Sequence, residues 1–167
     1  EGVTVYDSTV ALIRKLKDKG IQTAVVSSSR NCQAVLEAAG ITDLFDTRVD
    51  GQVSAELNLA GKPRPDIFLE AAKRLGVTPG KGCVIEDAVS GVEAGYRGEF
   101  RYVIGLDRLN QADRLREHGA DMVVDDLLDL EKKQRTSWLP RALKRMEEII
   151  GRRSRFELGI RSTPPSG

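Results

Sequence analysis

The chain has 167 residues, enough for one ordinary domain with a real core. Charged residues make up 31% of it, the net charge is +1 and aromatics are 5%, which argues against a basic nucleic-acid surface and against base-stacking platforms. No apolar run is long enough to span a bilayer and no signal pattern opens the sequence, so a cytoplasmic protein is expected, with no nucleic acid and no membrane as partner.

In chain order, residues 9–19 carry Val10, Ile13 and Leu16 at helical spacing, with Ser8 as the expected N-cap and Gly20 as the stop. Residues 21–26 read as a strand buried on both faces, ending in Ser27-Ser28-Ser29-Arg30-Asn31. A helix over 31–39 stops at Gly40, a short strand is expected over 46–49, and Asp50-Gly51 reads as a turn. Two prolines hold 60–65 extended, and Asp66 is expected to cap a helix reaching Leu75, with Ile67, Phe68, Ala71, Ala72 and Leu75 inward and Gly76 as its end. A strand over 83–85 runs into Glu86-Asp87 and a helix over 89–96. A strand over 102–106, a helix over 112–118 closed by Gly119 and a strand over 122–124 follow. Strands alternating with helices give an α/β fold, a parallel sheet covered on both faces. Leu127, Leu128 and Leu130 close a domain over 1–130. A charged linker (131–137), an amphipathic helix (138–150) and a disordered arginine-rich tail (151–167) complete the expected organisation. Cys32 and Cys83, at no metal-like spacing, are expected as buried free thiols, and the single histidine, His118, leaves no His-based triad and no multi-histidine zinc site.

Three groups of residues carry candidate chemistry. Glu86 and Asp87 stand at a strand end, where two carboxylates suit magnesium; they also suit the positive end of the helix that follows. Ser27, Ser28 and Ser29 offer hydroxyls and backbone N–H groups to a phosphate, or simply cap a helix. Lys62, between Gly61 and Pro63, is either a fixed positive charge or a solvated surface lysine.

Taken in order, Val25-Val26-Ser27-Ser28-Ser29-Arg30-Asn31, then Gly61-Lys62-Pro63-Arg64-Pro65-Asp66-Ile67-Phe68, then Ile85-Glu86-Asp87-Ala88-Val89-Ser90-Gly91-Val92-Glu93-Ala94-Gly95 resemble motifs two, three and four of the haloacid dehalogenase (HAD) superfamily. The closest likeness within it is to the β-phosphoglucomutase subgroup, over roughly residues 2–130. The resemblance implies a three-layer, Rossmann-like core and magnesium-dependent phosphoryl transfer on a sugar phosphate or a similar small phosphate ester. It implies that Ser27 hydrogen-bonds the transferring group and that Lys62 neutralises nucleophile and phosphate. Ser28, Arg30 and Asn31 would line the phosphate pocket, and Glu86 and Asp87 would hold magnesium, with Asp87 the direct ligand.

The family's nucleophile, the first aspartate of an Asp-x-Asp motif on the central first strand, has no counterpart here, and neither does the helical cap. Asp7 is followed by Ser8 and Thr9, so it is not the nucleophile. Without that strand the two inner strands either close on each other or leave the sheet split, unless an N-terminal segment or a partner chain supplies one. The expectation is a catalytically dead, marginally folded chain with weak or no magnesium binding. Trp138-Leu139-Pro140-Arg141-Ala142-Leu143 resembles the junction after this domain in multidomain trehalose-phosphate phosphatases, with the text beyond it truncated or out of frame. The alternative to an enzyme core is a non-catalytic regulatory or docking module, or a decayed gene remnant. A dinucleotide-binding Rossmann domain is excluded for want of Gly-x-Gly-x-x-Gly.

Overall fold

The computed structural model describes residues 5–132, so the helix expected over 138–150, the tail over 151–167 and the linker after Lys132 lie outside the described residues. The chain separates into two units, Glu1–Asp129 and Leu130–Gly167, and the fold described below is that of the first.

Helix α1 (Asp7–Asp18) leads to β1 (Ala24–Val26), α2 (Cys32–Ala38) and β2 (Thr47–Val49). Then come α3 (Gly51–Glu56), α4 (Asp66–Arg74), β3 (Cys83–Glu86), α5 (Val89–Arg97), β4 (Tyr102–Leu106), α6 (Ala112–Glu117), β5 (Met122–Val124) and α7 (Leu128–Lys132). Every strand pair is parallel, because a helix crosses over between each pair of successive strands. The pattern of a parallel α/β fold read from the sequence is therefore present.

The strands form two sheets rather than one: β1 with β2, and β3 with β4 and β5. Register runs from Ala24 opposite Thr47 to Val26 opposite Val49 in the first, and from Cys83 opposite Tyr102 and Ile104 opposite Met122 in the second. Among the described residues β1 and β3 are both edge strands, unpaired on one side. Of the two outcomes expected for a core without its central strand, the structure takes the split sheet.

What joins the two sheets is apolar packing. Ile67, Phe68 and Ala71 of α4 share one buried cluster with Val49 of β2, Val84 of β3 and Ala94 of α5, and Ala24 and Val26 of β1 pack against it. A second cluster gathers Val92, Val103, Leu115 and Val123 between α5, α6 and the larger sheet. Burial of this kind is the main favourable term holding such layers together.

Several local expectations are corrected. Ser8 does not cap α1, whose N-cap is Tyr6; its hydroxyl instead donates to Asp126 Oδ2 at 3.1 Å. β1 covers only Ala24–Val26 and is half-buried throughout, because one edge and part of its faces lack a neighbour. Asp50 is a helix cap rather than a turn residue: its carboxylate accepts from the N–H groups of Gln52 and Val53. Asp66 sits inside the first turn of α4 and accepts from Ala60 N at 3.3 Å, while Pro65 precedes it in helical rather than extended backbone. Leu75 is half-buried and Leu128 exposed, whereas Leu127 is buried. The glycines expected to end helices do so with positive φ, for instance +72° at Gly20 and +107° at Gly119. Among the described residues no helix is long and apolar enough to cross a membrane.

Candidate functional site

The site residues sit where the chain leaves a strand or enters a helix. β1 ends at Val26, so Ser27, Ser28, Ser29, Arg30 and Asn31 form the loop into α2. Its geometry is set by short-range bonds: Ser27 Oγ accepts from Ser29 N and Ser29 Oγ from Asn31 N, each at 3.1 Å. The loop is also held from the next strand. Ser27 N donates to Val49 O at 3.0 Å and Gly51 N to Ser29 O at 3.1 Å. Ser27 is half-buried, and Ser28, Ser29, Arg30 and Asn31 are exposed.

Gly51 has a role that reading it as a turn residue missed. A Cβ there would stand 2.5 Å from Ser28 O and 2.9 Å from Arg30 N. Only hydrogen at that position lets the serine loop lie against the start of α3. Beside it, Asp50 is fully buried, with Arg48 Nη1 3.3 Å from its Oδ2. Burial and the charge of Asp50 push the Cys32 thiol up. Cys83 is partly exposed as a residue, but desolvation around its sulfur pushes the thiol up to about 12, with Asp121 adding to the rise. Both thiols are free.

Lys62 and Glu86 are brought together. Lys62 Nζ donates to Glu86 Oε1, and the two side chains are only 13% and 9% exposed. The ammonium also lies 5.1 Å from the centroid of the Phe68 ring, and Phe68 is itself buried and set edge-on to Phe100 at 6.1 Å. Lys62 is therefore not the solvated lysine that base rates favour. Glu86 Oε2 accepts from Ala88 N at 3.2 Å, just ahead of α5. Gly91, one turn into that helix, is buried, and any side chain there would overlap the Glu86 carboxylate.

Asp87 is exposed, and its carbonyl accepts from Gln111 Nε2 at 3.0 Å. Gln111 is in turn fixed by its backbone N–H, which donates to Asp107 Oδ1 at 2.9 Å. Nothing in the sequence marked Gln111, since this bond depends on how the loop after β4 folds over the end of β3. Among the described residues no hydrogen bond joins the serine loop to the Lys62–Glu86 pair.

The donor set fits a magnesium ion poorly as it stands. Magnesium wants oxygen ligands in near-octahedral order. Among the described residues no group of three or more His, Cys, Asp or Glu side chains could hold a metal. Two carboxylates are adjacent in sequence, and one of them is already bonded to an ammonium and to a backbone N–H.

Comparison with known proteins identifies the setting. The family model described as a haloacid dehalogenase-like hydrolase matches residues 1–97. A β-phosphoglucomutase of Mycobacterium bovis is 46% identical over 133 residues, 78% of this chain and 51% of that protein. A trehalose-phosphate phosphatase of Mycobacterium leprae is 39% identical over 148 residues, 84% of this chain and 33% of that protein. Among solved structures, a HAD family hydrolase from Deinococcus radiodurans with bound phosphate and sodium superposes with a TM-score of 0.70 at 28% identity, covering 83% of this chain and 60% of that one. The β-phosphoglucomutase of Clostridium difficile gives 0.65 at 32% identity, covering 77% and 54%. The chain thus spans about half the length, or less, of the curated relatives it matches here. With that family model matched over more than half of the chain, the chain belongs to the haloacid dehalogenase-like hydrolases.

Proposed function

We propose that this chain is the phosphate-handling part of a HAD-type phosphohydrolase or phosphomutase acting on sugar phosphates, and that alone it is catalytically inactive. The observation that carries the reading is the half-buried Lys62, fixed between the Phe68 ring and Glu86 at the carboxyl end of β3. A lysine whose ammonium is held at a strand end, over an aromatic ring and against a carboxylate, is placed where it can also meet the negative charge of a phosphate. Sugar phosphates are favoured because the relatives are named for a phosphoglucose and a trehalose phosphate.

The roles follow the physics of phosphoryl transfer, in which positioning and charge neutralisation supply most of the rate. Ser27 hydrogen-bonds the transferring group, with Ser28, Arg30 and Asn31 beside it. Lys62 neutralises phosphate and nucleophile. The attacking carboxylate comes from outside the present residues: the sequence contains no Asp-x-Asp. The unpaired edges of β1 and β3 support a further parallel strand between them, from an adjoining segment or a partner chain, carrying that aspartate. Its oxygen forms the bond to phosphorus as the ester P–O bond breaks, and water later releases the phosphate. Magnesium would be the cofactor of such a completed site, where the added aspartate, Asp87 and Glu86 would hold it and it would neutralise charge on the phosphoryl oxygens. In this chain alone its binding is weak or absent. A cytoplasmic setting accords with the two free thiols.

A second reading, a non-catalytic docking or regulatory module, is favoured by one observation: Lys62 and Glu86 are closed on each other rather than open to a ligand. The first test is simple. The purified 167-residue chain is incubated with magnesium and a panel of sugar phosphates, and released phosphate is measured. No release above the buffer rate is expected. Robust magnesium-dependent release would overturn the requirement for an added nucleophile.

A further inference from the structure

We infer that Asp50 is a positioning residue for the serine loop: its buried carboxylate fixes the start of α3, and through Gly51 and Arg48 it holds residues 27–31 and the first turn of α2 in one shape. The inference rests on the reading of that loop as the phosphate-binding element. It goes beyond that reading by naming a residue outside the loop that sets the loop's geometry.

Among the described residues Asp50 is the one buried polar or charged residue, with no exposed surface. Its Oδ1 accepts from Gln52 N and Val53 N, each at 3.1 Å, which pins the Asp50–Gly51 peptide to the start of α3. Gly51 N in turn donates to Ser29 O at 3.1 Å, in the middle of the loop. The other oxygen, Oδ2, takes no hydrogen bond among the described residues and faces Arg48 Nη1 at 3.3 Å. That same nitrogen donates to Gln33 Oε1 at 2.7 Å, in the first turn of α2. One carboxylate is thus tied to the loop on one side and to the helix that the loop enters on the other. The Cys32 thiol lies between them: burial and then the Asp50 charge push it up, while Arg48 and a hydrogen bond with the Ser27 side chain pull it back.

Ser28, Ser29, Arg30 and Asn31 are exposed, so packing does little to order them. Ordering such a loop costs conformational entropy, and a loop already held in its binding shape spares the ligand that cost. Asp50 supplies the hold from beneath. Without its carboxylate the N–H groups of Gln52 and Val53 lose their acceptor in a place water does not reach, and the start of α3 shifts to find another. Gly51 shifts with it. The backbone of Ser28, Ser29 and Arg30 lies directly against Gly51, so the loop follows.

The test measures backbone amide order parameters of residues 28–31 by nuclear magnetic resonance, in the full 167-residue chain, and then repeats the spectra with inorganic phosphate added. The variants are Asp50→Ala, Asp50→Asn, whose amide oxygen can still cap α3, and Val103→Ala, which opens the separate cluster under the larger sheet. In Asp50→Ala the loop amides are expected to fall from about 0.85, the rigid range, to below about 0.6, while the strands stay rigid. Phosphate binding weakens about fivefold or more, the affinity equivalent of one lost cap. Asp50→Asn keeps the loop ordered, and Val103→Ala lowers the melting temperature without loosening it. The inference is overturned if the loop of Asp50→Ala stays as ordered as the native one, or if Val103→Ala loosens it equally, since Asp50 then acts only through global stability. A folded Asp50→Asn with a loosened loop also overturns it, and that arm stands where Asp50→Ala does not fold. A native chain whose loop is ordered but whose loop amides do not respond to phosphate counts against the phosphate reading of the loop; the order parameters still decide the part played by Asp50.

Discussion

At the scale of single residues, two glycines do more than the charged groups they serve. Gly51 lets the serine loop rest on the start of α3, and Gly91 leaves space for the Glu86 carboxylate. The sequence displayed both, but the dipeptide Asp50-Gly51 looks the same whether it makes a turn or caps a helix, and only the fold decides. Because the atoms crowding Gly51 are backbone, they cannot swing aside. Gly51→Ala is therefore expected to lower stability by ~1–3 kcal/mol through overpacking. Chemical denaturation reads this against Gly61→Ala, where nothing lies within 4 Å of the added methyl, and where a change below ~0.5 kcal/mol is expected. Equal losses at the two sites would remove the special role given to Gly51. Lys62 was legible as a loop lysine, yet its burial against Phe68 was not, because the contact joins residues whose neighbourhood depends on how the loop turns into α4.

Among the elements, α1, α2, α4, α5, α6 and the strands β4 and β5 were legible to within about two residues, since amphipathic spacing and glycine stops are local signals, whereas the short helices α3 and α7 carry neither and were not read. β1 was not: an apolar run from Ile21 looks like a longer strand, but strand length is fixed by pairing, and only Ala24–Val26 pair with β2. The residues before it are held differently. Thr23 N donates to Asp46 Oδ2 at 2.7 Å, Thr23 Oγ1 donates to Leu44 O at 2.6 Å, and Lys17 Nζ donates to Asp46 Oδ1 at 3.4 Å. The backbone bond from Thr23, with Lys17 adding to it, holds the Asp46 carboxyl below the usual carboxylate range. A carboxylate lowered in the folded state contributes stability that is present above its unfolded value and lost as pH falls through its folded one. Asp46→Ala is expected to lose about 1 kcal/mol at neutral pH, the exposed position limiting the charge's share. The gap between variant and native chain closes as the solution is acidified into the carboxylate range. A gap that stays constant on acidification would show that Asp46 acts through packing and not through its charge.

For the whole molecule, the decisive feature is the divided sheet. Two parallel sheets share the apolar cluster under α4, yet among the described residues β1 and β3 each keep an unpaired edge. Unpaired backbone groups are costly when buried, and here the opening shows at Ile85, a mid-strand apolar residue that is 39% exposed. The family was legible because its motifs are short, local and ordered along the chain. The division was legible only as an alternative, because whether two strands close up or stay apart depends on helix packing that no motif encodes. On this account the chain holds the phosphate-binding serines, the lysine and the carboxylate pair, and needs a strand with an aspartate to act. The most direct test fuses the Asp-x-Asp strand and cap of a β-phosphoglucomutase ahead of this chain and measures phosphate release or isomerisation of sugar phosphates with magnesium. The account predicts activity in the fusion, none in either part alone, and loss of it on Lys62→Ala or Asp87→Ala. A folded fusion with no activity, or one indifferent to both substitutions, would contradict it.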